Sequence, residues 1–171
     1  MQQFLETDRL ILRPWHDDDA PALYKYASDP DVGTPAGWPP HTSVEFSRMV
    51  IHDVFSAPHT FAVVLKATGE PVGCCGLVPP GVRPNDTFAP DDAEIGYWIG
   101  KPLWGQGLIP EAVAAVMNYA RGTLGKSALW IGFYDGNDKS RRVAEKCGFR
   151  YHHTAVSDSS TEHYYVNTVL T

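Results

Sequence analysis

The amino-acid sequence predicts a mixed α/β fold, in which a hairpin-rich sheet is flanked by helices. Three observations lead there. Short apolar segments, several with residues alternating in character, recur between clusters of turn residues. One stretch carries apolar residues at helical rather than strand spacing. That helix lies between two strands, so a strand–helix–strand unit sits inside a run of hairpins, which implies both parallel and antiparallel neighbours in one sheet. At 171 residues the chain suits one domain, residues 1–171, able to bury roughly 70% of its unfolded surface.

Arg9–Arg13 alternates as a strand and stops at Pro14. Asp17-Asp18-Asp19 opens a helix reaching about Ser28, its acids suiting the positive end of the helix dipole. Residues 33–42 hold three prolines and two glycines and must form a loop. Ser43 caps a second helix, Val44–Phe55. Thr60–Lys66 and Pro71–Val78 are strands joined by the turn Ala67-Thr-Gly-Glu70. Pro79–Asp91, with four prolines, is an irregular loop, and Ala93–Ile99 is the next strand. Ile109, Ala112, Val113, Val116, Met117 and Ala120 then fall at i, i+3, i+4, i+7, i+8 and i+11, one apolar helix face with Pro110 tolerated in the first turn. Ala128–Tyr134 is a strand and Asp138–Lys146 a helix that stops at Gly148. Two strands, Phe149–Val156 and His163–Leu170, complete the order β-α-α-β-β-β-α-β-α-β-β.

Composition narrows the function classes. A net charge of −6 argues against nucleic-acid binding, which wants a basic face, and mildly favours a cationic partner. No apolar run reaches the 18 residues of a membrane span, and the start Met1-Gln-Gln-Phe-Leu-Glu6 lacks the pattern of a secretion signal, so a cytoplasmic address is expected. Cys74, Cys75 and Cys147 are an odd number without a CxxC pair, and the seven histidines show no HExxH spacing; neither a disulfide framework nor a metal site is expected. His152 and His153 are neighbours in a strand and are expected to face opposite sides of the sheet.

The segment from Glu94 to Ala112 is the most informative. A strand ends, a loop with Gly105 and Gly107 follows, and a helix begins near Ile109. Glycines permit φ > 0 and a close backbone approach, and the amides of a helix start form an anion site strengthened by the dipole. Pyrophosphate is the group such a loop would hold. A dinucleotide fingerprint would need a third glycine where Pro110 stands. Ala120-Arg-Gly-Thr-Leu-Gly-Lys-Ser127 nearly spells a phosphate loop of the Walker type. However, a helix precedes it and a strand follows, the reverse of what that loop requires, and Gly122 and Gly125 are better read as ending the helix.

Together these blocks resemble the GNAT superfamily of N-acetyltransferases, and within it the RimJ/RimL-like branch of ribosomal-protein N-terminal acetyltransferases. The resemblance is carried by Glu6-Thr-Asp-Arg-Leu-Ile-Leu-Arg13, Ala93-Glu-Ile-Gly-Tyr-Trp-Ile-Gly100, Trp104-Gly-Gln-Gly-Leu-Ile-Pro-Glu-Ala112 and Asn137-Asp-Lys-Ser-Arg-Arg-Val-Ala-Glu-Lys-Cys-Gly-Phe149. It implies a GNAT-type, mostly antiparallel sheet, splayed in the middle at an acetyl-coenzyme A (acetyl-CoA) site. It further implies that backbone amides of Trp104, Gly105, Gln106, Gly107, Leu108 and Ile109 hold the coenzyme pyrophosphate. Tyr97, Trp98 and Ile99 would offer their open strand edge to pantetheine, and Asn137 and Ser140 would lie near pantetheine and sulfur. Pro102 departs from the Arg or Gln often found three residues before the first glycine, but backbone amides carry most of the anion contact. Ala144 stands where other branches place a tyrosine acid, and Ser140 fills this branch's usual alternative.

Amide formation from a thioester requires a deprotonated amine, a stabilised oxyanion and a leaving thiolate. Glu94 is the base read from the sequence, directly or through water, with an ordinary strand residue in a salt bridge as its plain alternative. Ser140 is the residue read for the thiolate's proton, and Asn137 serves at once as helix cap and coenzyme contact. Among Lys139, Arg141, Arg142 and Lys146, otherwise a solvated face, one is read as meeting the coenzyme's ribose phosphate. Cys147 is read as core, and the Trp38 loop as lining the acceptor side. The acceptor is a primary amine, a peptide N-terminus or a small molecule. A homodimer is left open. The competing reading is a catalytically inactive acyl-CoA-binding module.

Overall fold

The computed structural model describes residues 3–82 and 87–168. Pro84, in the irregular loop, and Val169-Leu170, at the end of the last predicted strand, lie outside the described residues. The strands are β1 (Leu5–Glu6), β2 (Leu10–Arg13), β3 (Thr60–Leu65), β4 (Pro71–Leu77), β5 (Ala93–Ile99), β6 (Ala128–Tyr134), β7 (Arg150–Val156) and β8 (Thr161–Thr168). The helices are α1 (Ala20–Ala27), α2 (Pro30–Gly33), α3 (Val44–Val50), α4 (Leu108–Gly122) and α5 (Asp138–Lys146). The strands form one sheet in the order β1-β2-β3-β4-β5-β6-β8-β7. Every neighbouring pair is antiparallel except β5 and β6, so the sheet is mixed and mostly antiparallel as predicted.

The sheet separates two apolar clusters. Phe61 and Val63 of β3 face one side and Ala62 and Val64 the other, so this strand reads as an unbroken apolar run because both its faces are covered. On one side Ile109, Ala112, Val113, Val116 and Ala120 of α4 meet Leu10, Leu12, Ile95, Leu129 and Ile131. That is the periodic stripe seen in the sequence, and each fully buried valine or isoleucine in it contributes roughly 1.5–3 kcal/mol. On the other side Trp15, just after β2, Leu23 of α1 and Ile51, just after α3, cover Ala62, Val64 and Cys74.

Several elements differ from expectation, each for a physical reason. Leu5–Glu6 adds a two-residue strand that the sequence pattern is too short to announce. The acidic triplet does not simply cap a helix. It forms a 3-10 turn, Asp17–Asp19, and Asp19 turns inward onto Arg13 at 2.7 and 2.8 Å while accepting the His16 amide. At the start of residues 33–42 the short helix α2 ends at Gly33 and runs into a 3-10 turn at Thr34–Ala36, and the loop proper follows Gly37. Ser43 caps α3 as expected, accepting the Phe46 amide at 3.0 Å, but the helix loosens into a π-turn over Ile51–Phe55. A bulge between Tyr151 and His153 cancels the expected alternation: His152 and His153 lie side by side, their Nδ1 atoms 2.9 Å apart.

The feature that positions the site is the junction of β5 with β6. They pair only at Ala93–Leu129 and Glu94–Trp130 and then part, although each strand continues for five or so further residues. Along the same length β5 remains paired with β4 from Ile95 to Ile99. One edge of the second half of β5 is therefore turned toward an opening in the sheet.

The Arg13–Asp19 pair gives a test of this packing. Burial raises the Asp19 carboxyl's pKa, but hydrogen bonds from Arg13 and the His16 amide outweigh it and hold it below the usual carboxylate value. A depressed carboxylate contributes stability above its unfolded pKa of about 3.9, and that contribution disappears as pH falls through the lower folded value. Asp19→Asn should cost about 2–3 kcal/mol at pH 7 and much less at acid pH. Denaturant unfolding of both proteins across pH 2–7 checks this.

Candidate functional site

After Ile99 the chain makes a 3-10 turn at Lys101–Leu103, extends at Trp104, and enters α4 through Gly105 and Gly107. Both glycines are left-handed, with φ of 77° and 75°. A Cβ at Gly105 would touch nothing within 4 Å, so it is the backbone conformation that demands glycine there. Gly107 is the N-cap of α4, which leaves the amides of Leu108 and Ile109 in the first turn without intrahelical acceptors, while Pro110 has no N–H to orphan. The two-glycine turn into a helix start is thus present, and it is the geometry on which the sequence reading placed an anion.

The loop is anchored from outside by residues to which the sequence assigns no role. The Arg9 guanidinium donates to the Gln106 carbonyl at 2.9 Å and to Glu111 at 2.7 Å. The Glu111 carboxylate also accepts the Arg9 amide at 2.9 Å and the Thr7 hydroxyl at 2.6 Å. Thr7 and Arg9 lie in the first block of the family resemblance, and Glu111 sits in the first turn of α4, where an acid also suits the helix dipole. Their meeting, across about a hundred residues of chain, leaves no local signal.

A cavity of about 480 Å³ runs from this loop along the parted edge of β5 to the start of α5. Trp104, Gly105, Gly107, Leu108, Ile109 and Ile99 line it, and its charged residues are Lys139, Arg142 and Lys146, with Asp31 and Asp138. The Lys139 ammonium sits 3.6 Å from the centre of the Trp104 ring, and the Trp104 indole donates to the Ile99 carbonyl at 3.0 Å. Gln106 takes no part in the lining: its side chain folds back on the Pro102 carbonyl.

A second cavity, of about 230 Å³, opens on the α1–α3 side, with Trp38 in its wall. Tyr97, Trp98, Asn137 and Ser140 line both cavities, so the two meet where β5 and β6 part. Asn137 caps α5 by accepting the Ser140 amide at 3.2 Å, and its own amide donates to the Pro35 carbonyl at 3.2 Å. The Tyr97 hydroxyl donates to the Ser140 carbonyl at 3.0 Å, tying β5 to α5 across the opening, and burial holds its pKa above the usual tyrosine value. Trp38 meets Trp98 edge to face at 5.7 Å.

Glu94 occupies the last paired position before the opening. It shares a strand face with Gly96 and Trp98, both of which line the smaller cavity. The residue is buried, and a Cβ at Gly132 would stand 3.1 Å from its Oε1, so the bare backbone there is what admits the carboxyl group. Ala144 is fully buried in the core. Burial pushes the thiol pKa of Cys74 to about 12 and that of Cys147 to about 11, so neither is a ready nucleophile. No group of three or more His, Cys, Asp or Glu among the described residues is arranged to hold a metal. No helix among them is long and apolar enough to cross a membrane.

The external anchor predicts coupled losses. Glu111→Ala should cost about 1–2 kcal/mol, a fall of roughly 2–8 °C in Tm. Arg9→Ala added to it should cost little more, because both changes break the same pair. Calorimetry of the two single variants and the double variant measures the coupling, and strictly additive losses would dissolve the clamp.

Comparison with known proteins agrees with this geometry. Residues 9–150 match the family model described as Acetyltransferase (GNAT) domain. The chain is 34% identical over 161 residues to the uncharacterized protein YkkB of Bacillus subtilis, covering 88% of this chain and 87% of that one. It is 29% identical over 151 residues to the uncharacterized N-acetyltransferase p20 of Bacillus licheniformis, covering 85% and 82%. A crystal structure of a GNAT-family acetyltransferase from Bacillus anthracis superposes with a TM-score of 0.81 at 23% identity, over 97% of this chain and 98% of that one, and shares the fold. With a family model spanning both the glycine loop and the α5 cap, the chain belongs to the GNAT acetyltransferases.

Proposed function

We propose that the protein moves the acetyl group of acetyl-CoA onto a primary amine by direct attack, with both substrates bound at once. The observation that carries this reading is the meeting of two cavities at Tyr97, Trp98, Asn137 and Ser140, one holding the start of α4 and three cationic side chains, the other with no charged residue among its described lining. Amides from Trp104 through Ile109 hold the pyrophosphate, and Lys139, Arg142 or Lys146 meets the ribose phosphate. The open edge of β5 at Tyr97–Ile99 pairs with pantetheine, and an amide there polarises the thioester carbonyl. The coenzyme supplies an activated acetyl thioester; the chain supplies position and proton handling.

Glu94 takes the amine's proton, directly or through a water. The demand on it depends on the acceptor. An N-terminal amine with pKa near 8 costs about 1.4 kcal/mol to deprotonate at pH 7, whereas a lysine-like amine near 10.4 costs roughly 4.6 kcal/mol. Ser140 orders the proton donor for the departing thiolate. The raised thiol pKa values of Cys74 and Cys147 favour direct transfer over an acyl-cysteine. In this reading the protein works in the cytoplasm on a peptide N-terminus or a small molecule, alone or as a homodimer. An inactive acyl-CoA-binding module would bind coenzyme equally well but release no thiol with any amine.

Glu94→Gln tests the base. It keeps size and hydrogen bonding while removing basicity, so the rate at pH 7 should fall roughly 10²–10⁴-fold, the usual worth of a general base. The deficit should narrow as pH rises and free amine becomes abundant. A purely structural role predicts lower thermal stability with an unchanged rate in the folded fraction, and paired pH–rate profiles separate the two outcomes.

A further inference from the structure

The smaller cavity carries information about the acceptor that its family membership does not. Among the described residues, none that lines it is Asp, Glu, Lys, Arg or His. Its walls are mostly aromatic and aliphatic, with Trp38, Phe55, Leu77, Trp98 and Phe133 among them, and Thr60, Asn137 and Ser140 are polar exceptions. Its volume of about 230 Å³ falls below the roughly 300–1,000 Å³ of sites for drug-sized ligands. The adjoining coenzyme cleft, by contrast, has three cationic side chains in its lining, so the change of character is abrupt at Tyr97 and Ser140.

These facts select among amines. One ammonium entering this cavity can be received by aromatic ring faces until it gives up its proton at the junction. The buried Glu94 lies beside that point, at the end of the same strand face. A second ammonium on the same molecule would meet a wall with no carboxylate among its described residues, which is unfavourable. The hydroxyls of an amino sugar would face a similar loss among rings and aliphatic groups. An apolar body gains instead from burial against Trp38 and Trp98, which are braced edge to face.

We propose that the acceptor is a compact primary monoamine with an apolar, ring-sized body, held against Trp38 and Trp98 with its nitrogen directed to the junction of the two cavities. The proposal rests on the acetyl transfer inferred above and names its substrate class. Polyamines and amino sugars are disfavoured by these arguments, and a peptide N-terminus is the competing occupant that the test decides.

Two measurements test it. In the first, free-thiol release from acetyl-CoA is followed with phenethylamine, spermidine, kanamycin and a serine-initiated tetrapeptide. Phenethylamine should show a kcat/KM at least about 10-fold above the others, and Trp38→Ala should raise its KM about 10-fold or more with the acetyl-CoA KM little changed. Trp38→Phe should recover most of that loss, and it guards against misfolding of the alanine variant. A higher kcat/KM for spermidine, kanamycin or the peptide would overturn the proposal while leaving acetyl transfer intact. In the second, calorimetry follows phenethylamine and spermidine binding to the protein saturated with coenzyme A. Preferential binding of phenethylamine, lost in Trp38→Ala, supports the acceptor class even if no amine is turned over, which would instead sink the transfer reading. Tighter binding of spermidine, or no binding of phenethylamine, overturns it.

Discussion

Two strands that pair for only two residues and then separate set most of what this protein can do. Parallel β5 and β6 are joined at Ala93–Leu129 and Glu94–Trp130, and beyond that the hydrogen-bonding capacity of one β5 edge is directed at a gap. An open edge inside a domain is costly, because backbone amides and carbonyls away from water need partners. Part of that need is met internally, since the Ile99 carbonyl takes the Trp104 indole. The remainder is available to an extended ligand, which is the physical basis for placing pantetheine there.

Around the opening, the other features serve as fixtures. Tyr97 bridges from β5 to the start of α5, and Asn137 both caps α5 and holds the Pro35 carbonyl, so the 3-10 turn carrying Pro35 is secured to the far lip. The left-handed glycines 105 and 107 aim the first turn of α4, and the Arg9–Glu111 pair fixes that turn to the N-terminal strands. Gly132 leaves room for a buried carboxyl at the point where the strands divide. Charge differs between the cavities: cations gather on α5 beside the glycine loop, and none lines the smaller cavity among the described residues.

What the sequence discloses follows the range of the interactions involved. The apolar stripe of α4, the Ser43 and Asn137 caps, and the two loop glycines are local, each legible within a few residues. Most of the larger cavity's lining therefore falls in stretches that the sequence singles out, Glu94 to Ala112 and Asn137 to Lys146. Contacts that depend on topology are silent. Nothing near Glu111 announces Arg9, nothing near Asp19 favours Arg13 over a helix cap, and Leu5–Glu6 is too short to show a period. The bulge at Tyr151–His153 breaks strand alternation without any glycine to mark it. The absence of charge from the described lining of the smaller cavity is likewise hidden, because its walls come from separate segments of chain.

The central physical claim is that the parted edge of β5 and the start of α4 form a single binding surface for the coenzyme. Amide hydrogen exchange with and without saturating acetyl-CoA tests it most directly. Slowed exchange should concentrate in two stretches, Tyr97–Ile99 and Gly105–Ile109, with the outer pairings of β1–β2 and β7–β8 unchanged. Binding that left those two stretches unprotected, or that protected the outer strands instead, would contradict it.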